Sequence, residues 1–259
     1  MRLQDQVVIV TGSTSGIGEA IARRAVAEGA RVMLHGLEPE LGEQVLADLG
    51  EAARLHIGNL EDPATPATLV EQTVDAFGRL DCIVNNAAWV CRSTVQDSSP
   101  DYFNQVMAIN ARAPMLMVQA GLPHLEKAGG CVLNIGSVNA WSGEPTFLLY
   151  SMSKGALMTM TRNLGDTLYR DHGVRVNQIN PEWVLTENEK KVQENNGNPP
   201  DWFEKIPACW APAGRLIQPE EIASVAVPWM CKESVPFSGT VFEACQYPFV
   251  GRNPPRGVD

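Results

Sequence analysis

The chain has 259 residues, 44% hydrophobic and 19% charged, enough to bury one sizeable core, so a single domain over 1–259 is expected. Its 30 acidic against 20 basic residues give a net charge of -10 with no basic cluster, which argues against nucleic acid or an anionic membrane as partner and favours a small molecule. Six scattered cysteines without a C-x-x-C pair and four isolated histidines speak for free thiols in a reducing compartment and against a metal site.

The N-terminus enters an apolar run almost at once, "QVVIVTG" at 6–12, which leaves no room for a signal peptide and predicts a cytoplasmic protein. That strand runs into "TGSTSGIGEAIA" at 11–22, with glycines at 12, 16 and 18. Glycines there permit a tight turn and close approach of backbone to an anion. The helix that follows, 15–29, aims free N–H groups at the same place. A second strand, "ARVMLHG" at 30–36, and a helix over 38–49 come next, then a strand "ARLHIGN" at 53–59 and a helix over 63–77. The fourth strand, "LDCIVNN" at 80–86, leads into "NNAA" at 85–88 and a long helix over 101–127 that carries Asn110. Next, the strand "GCVLNIGS" at 130–137 ends on Ser137.

The helix over 149–171 opens with "YSMSK", so Tyr150 and Lys154 stand one turn apart on one face. Its methionines, Met152, Met158 and Met160, read as core packing. The sixth strand, "GVRVNQIN" at 173–180, is followed by Pro181–Glu182. Residues 186–214 are polar and irregular, with four prolines (Pro199, Pro200, Pro207 and Pro212). An insertion at the carboxyl end of a parallel strand is where such sheets keep a ligand crevice and its lid, so 186–214 is the expected substrate loop. A last helix and the strand "GTVFEA" at 239–244 close the pattern, and the proline-rich stretch 248–259 reads as an extended tail. Strand-helix alternation of this kind predicts an α/β fold, a parallel sheet with helices on both faces.

Taken in order, "TGSTSGIG", "NNAA", Asn110, Ser137 and "YSMSK" resemble the motifs of the short-chain dehydrogenase/reductase family, of the classical type. The resemblance implies a seven-stranded doubly wound Rossmann sheet and hydride exchange between a nicotinamide cofactor and an alcohol or carbonyl. It implies Tyr150, Lys154, Ser137 and Asn110 as catalytic residues. Tyr150 would move the proton, Lys154 would lower the phenol's pKa, Ser137 would hold the reacting oxygen, and Asn110 would anchor a water in a relay. The cofactor would lie along Gly12, Ser15, Gly16, Ile17, Gly18, Leu37, Asn59, Leu60, Asn86, Ala87, Ala88, Tyr150, Lys154, Val184 and Thr186. Family resemblance also implies a homotetramer.

Two departures bear on specificity. After the second strand the chain offers Gly36, Leu37 and Glu38, and neither there nor at 13–15 does a Lys or Arg stand ready for a phosphate. NAD is therefore expected over NADP. The family's P-G after strand six is Pro181–Glu182 here, and its terminal D-G-G is missing from "FEACQYPF". Substrate contacts are expected from Ser137, Asn139, Tyr150, Glu182 and Trp183. Trp89, Trp141, Trp202 and Trp210 also fall on segments near the crevice. Broad aromatic faces with hydroxyl-binding neighbours suit a sugar or polyol. A 3-oxoacyl thioester reductase is the second expectation, with a transient-oxidation epimerase or lyase and a non-catalytic cofactor-binding regulator behind it.

Overall fold

The computed structural model describes residues 1–248. The expected tail over 248–259 therefore lies, apart from Pro248, outside the described residues. Strands and helices alternate: β1 Val7–Val10, α1 Gly16–Ala27, β2 Arg31–Gly36, α2 Pro39–Leu49, β3 Ala53–Ile57, α3 Thr65–Phe77, β4 Cys82–Asn85, α4 Pro100–Met107, α5 Ala113–Ala128, β5 Cys131–Ile135, α6 Asn139–Ser142, α7 Leu148–His172, β6 Arg175–Pro181, α8 Glu187–Asn195, α9 Pro219–Met230 and β7 Val241–Ala244. The seven strands form one parallel sheet in the order β3-β2-β1-β4-β5-β6-β7. Strand order reverses direction between β1 and β4, so a crevice opens at their carboxyl ends.

β1 shows why both faces are covered. Val8 and Val10 join a layer with Ile21, Ala25, Ile222 and Val227 of α1 and α9. Val7 and Ile9 join the opposite layer with Leu69, Met117 and Leu125 of α3 and α5. All four strand residues are fully buried, as a continuous apolar run with period-two side chains requires. Each such side chain contributes roughly 1.5–3 kcal/mol relative to exposure.

Three expectations need correcting. The helix predicted over 101–127 is interrupted by a π turn, Ala108–Arg112, that joins α4 to α5. Asn110 lies at its centre, 1% exposed, its side chain bonded to other segments, and such insertions recur where a helix serves a site. The segment 186–214 is not wholly irregular. Thr186 Oγ1 accepts from Glu189 N at 3.1 Å and caps α8, and a single 3-10 turn spans Trp202–Lys205. The methionines of α7 divide between faces: Met158 is buried at 7% but Met152 is 48% exposed. Six residues along a 3.6-residue helix carry a side chain about two-thirds of the way round, so both cannot face one core.

Candidate active site

The loop after β1 is held from both sides. Thr11 Oγ1 accepts from the amides of Asn86 and Ala87 at 3.0 and 3.1 Å. Asn86 Nδ2 donates to the carbonyls of Thr11 and Gly12, both at 3.0 Å. Within the described residues the "NNAA" segment thus braces the loop. Gly12 has φ +63°, and a Cβ on it would lie 2.8 Å from Ala87 Cα; a Cβ on Gly18 would lie 2.2 Å from the Gly12 carbonyl oxygen. Neither position accepts a side chain. Ser15, in extended conformation, precedes α1 without capping it through its side chain. The first amides of α1, from Gly16, Ile17 and Gly18, therefore remain available to an anion. Thr186 closes over this point, its Cγ2 within 3.4 Å of where a Gly16 Cβ would be. Val184 beside it is buried and pairs in a bridge with Ile217.

The end of β2 is filled rather than open. A Cβ on Gly36 would meet Thr14 Cγ2 at 2.4 Å, so the Thr14 side chain occupies the space beside the end of β2. Leu37 is 57% exposed, and Glu38 precedes α2 as its cap residue, as its place in the sequence suggests. Asn59 turns its side chain to its own loop, accepting from Glu61 N at 2.9 Å. Leu60 is buried and Ala88 half-buried.

Tyr150 and Lys154 do share one face of α7. Tyr150 is half-buried and packs against the cluster of Cys91, Val106 and Leu149. Lys154 is 2% exposed, its Nζ donating to the Ile135 carbonyl at 2.8 Å and lying 5.7 Å from the Tyr150 ring centroid. Desolvation pushes the Tyr150 phenol up to about 12, against a smaller opposing pull from the Ser137 side chain. Burial likewise pushes the Lys154 ammonium down to about 8. The net shift of the phenol is therefore upward, with burial outweighing whatever opposes it. Burial disfavours the charged form of each group, and the ammonium is directed at a backbone carbonyl.

Asn110 is bonded within the protein through its side chain. Its Oδ1 accepts from Trp89 N at 2.7 Å, and its Nδ2 donates to the Trp89 carbonyl and to Ser153 Oγ, both at 3.0 Å. Both amide protons are committed, so the side chain ties the β4 exit to α7. Ser137, 8% exposed, accepts from Asn139 N at 3.2 Å through its hydroxyl. Its own amide donates to Asn180 Oδ1 at 3.1 Å. Asn180 belongs to a chain of side-chain bonds that crosses the sheet. Asn85 donates to Asn134, Asn134 to Thr161 and Thr161 to Gln178; Gln178 donates to Asn180 and Asn180 to Glu243, at 2.7–3.0 Å. Glu243 Oε1 also accepts from Trp141 Nε1 at 2.5 Å. The whole chain is polarised toward the carboxylate. Motif reading misses Asn180 and Glu243; the only sequence signal is the polar "NQIN" in a strand whose residues are all buried.

The proposed substrate residues separate. Asn139 begins α6 beside Ser137, half-buried. Trp183 stacks on Trp202 at 5.2 Å and 23°, and its Nε1 donates to Glu189 at 2.9 Å. Trp202 is 9% exposed, and its Nε1 has no hydrogen-bond partner among the described residues. Glu182 was expected to present its carboxylate to the crevice. Instead Glu182 Oε2 accepts from Gln246 N at 3.0 Å, and Gln246 bonds Ala213 N and the Arg215 carbonyl. The two sequence departures are one feature: without the D-G-G turn, Glu182 fastens the chain as it leaves β7. Among the described residues no group of His, Cys, Asp and Glu is placed to hold a metal ion.

A doubly wound parallel sheet, a glycine loop opening a helix at its switch point and a Tyr-Lys-Ser set at the carboxyl edge define an oxidoreductase of the nicotinamide-dependent class. The chain belongs to the short-chain dehydrogenases: residues 6–197 match that family. It is 33% identical to a meso-2,3-butanediol dehydrogenase of Serratia marcescens, over 87% of each chain. An L-fucose dehydrogenase of Mus musculus is also 33% identical, over 87% of this chain and 82% of that one. The crystal structure of a 3-ketoacyl-(acyl-carrier-protein) reductase from Brucella melitensis complexed with NADH superposes with a TM-score of 0.82 at 25% identity, covering 93% of this chain and 97% of that one. The family binds a nicotinamide cofactor and acts on CH–OH groups.

Proposed function

We propose that the protein oxidises a secondary alcohol of a sugar or polyol with NAD, Tyr150 taking the proton from the reacting hydroxyl while Ser137 holds its oxygen. The observation that carries the reaction is the placement of Tyr150 and Lys154 on one face of α7, with Lys154 Nζ 5.7 Å from the Tyr150 ring centroid and donating to the Ile135 carbonyl at the end of β5, two residues before Ser137. Gly12, Gly18 and the first amides of α1 fit the pyrophosphate, because the cradle has no room for side chains. A bound nicotinamide would accept or supply the hydride. At neutral pH the phenol holds its proton and Lys154 stays largely charged; the proposed oxidation needs Tyr150 as phenolate, so it gains as pH rises, while the reverse reduction uses the protonated phenol as acid.

The sugar or polyol assignment is supported by the stacked Trp183–Trp202 faces and the unpaired Trp202 N–H on the loop after β6, within the proposed substrate loop 186–214. The part of Trp183 left exposed by the stack, 38% of the residue, suits the C–H surface of a sugar ring, and an unpaired buried donor favours an oxygen-bearing ligand. Two relatives act, by name, on a diol and a sugar. NAD over NADP is supported by the exposed Leu37 and the absence of Lys or Arg at 13–15 and 36–38. The solved neighbour favours a second reading, a 3-oxoacyl thioester reductase. Against it stands the net charge of -10, which repels an acidic carrier. The scattered cysteines, with no C-x-x-C pair, support a cytoplasmic setting. Exposed Phe237 and Phe242 beside edge strand β7 support the homo-oligomer.

One assay decides: NAD reduction over a panel of sugars and polyols, against NADH oxidation with acetoacetyl thioesters. Activity with a polyol, reduced at least about a hundredfold by Tyr150→Phe, is expected. Indifference to the carbohydrate panel with efficient thioester reduction would install the second reading.

A further inference from the structure

We propose that His35 is a positioning residue for the adenosine end of the cofactor, a buried imidazole that fastens the glycine loop to the loop after β3. The inference rests on the dinucleotide reading above. His35 is the next-to-last residue of β2 and is 2% exposed. Its Nδ1 accepts from Gly12 N at 3.3 Å, and its Nε2 lies 3.0 Å from the Gly58 carbonyl oxygen. An amide can only donate and a carbonyl can only accept, so the ring is neutral and carries its proton on Nε2. Burial, with His56 acting in the same direction, holds the imidazole down at about 4, in keeping with that tautomer.

The backbone around the ring repeats the connection. Ser13 N donates to the His35 carbonyl at 2.8 Å, His35 N donates to Ser13 Oγ at 3.0 Å, and Gly58 N donates to the Gly36 carbonyl at 3.1 Å. His56 stacks on His35 at 6.0 Å and 15° and is itself held by Gln72 at 2.7 Å. A merely space-filling residue at this place would be aliphatic, since an imidazole costs desolvation without its two partners. With them it clamps Gly12 by the amide, as Asn86 clamps it by the carbonyl. The Gly12 amide is thereby removed from anion binding, which falls to the first turn of α1. The two loops so joined, 11–15 and 58–60, both carry residues along which the cofactor is expected to lie, on either side of the end of β2.

The test is calorimetric titration of ADP-ribose, which carries no reacting ring, into the wild type, His35→Leu and His35→Gln. A glutamine can accept from Gly12 and donate to Gly58; a leucine can do neither. The wild type and His35→Gln should bind within about threefold of each other, and His35→Leu at least about tenfold more weakly, as loss of a paired buried bond implies. At saturating NAD, kcat should remain within about twofold in all three, the loss falling on KM for NAD. If His35→Leu does not fold by thermal melt, His35→Asn, too short to span both partners, takes its place with the same expected loss. ADP-ribose binding by His35→Leu (or its substitute) within about twofold of wild type, or equal loss in His35→Gln and His35→Leu, overturns the assignment. Failure of the wild type itself to bind ADP-ribose overturns the dinucleotide reading and this inference with it.

Discussion

Replacing Lys154 with methionine should make the protein without cofactor more stable at neutral pH, by an amount that shrinks as the solution becomes alkaline. Burial takes the ammonium from 10.5 to about 8, a preference for the neutral amine of roughly 3 kcal/mol. The sign follows from proton binding. Between these two values the folded protein holds fewer protons at this site than the unfolded chain, so stability rises with pH through the window. Below it the full penalty of the buried charge is present. Integrated from pH ~7 to pH ~9.5, the wild type regains about 2 kcal/mol that Lys154→Met does not. The lost bond to the Ile135 carbonyl adds a constant that cancels from this difference, as do groups that titrate alike in both proteins. Urea unfolding of both proteins at the two pH values measures it. A gap between them that moves by less than about 0.5 kcal/mol, or that widens with pH, would refute the account of Lys154 as a desolvated cation.

Gly18→Ala places a methyl 2.2 Å from the Gly12 carbonyl oxygen; NAD affinity by fluorescence titration should fall at least about tenfold, with about 1–3 kcal/mol of stability lost. Glu182→Ala removes the acceptor of Gln246 N and should cost about 1–2 kcal/mol in denaturant unfolding, leaving KM for substrate within about twofold. Glu243→Ala strips Asn180 and Trp141 of their shared acceptor; kcat should fall more than KM for NAD rises, because Asn180 in turn holds the Ser137 amide.

Much of the architecture is legible along the chain because its signals are local. Val7 to Val10 alternate between two layers that are both apolar, so a plain run of valine and isoleucine announces a buried parallel strand. Gly12 and Gly18 announce themselves because only a residue without a side chain fits where backbones meet. Tyr150 and Lys154 are placed by helical spacing alone. What these residues experience is set elsewhere in the chain. The direction in which Tyr150 and Lys154 shift depends on how completely β5 and α7 exclude water, and spacing carries no information about desolvation. Glu182 looks like a free crevice carboxylate until β7 returns beside β6 and delivers Gln246 N to it. His35 looks like one polar residue in an apolar strand; its two partners lie 23 residues away on either side. Hydrogen bonds between segments so distant are made only when parallel strands are brought into register, and so the tertiary structure alone decides which polar residues face a substrate and which hold the protein together.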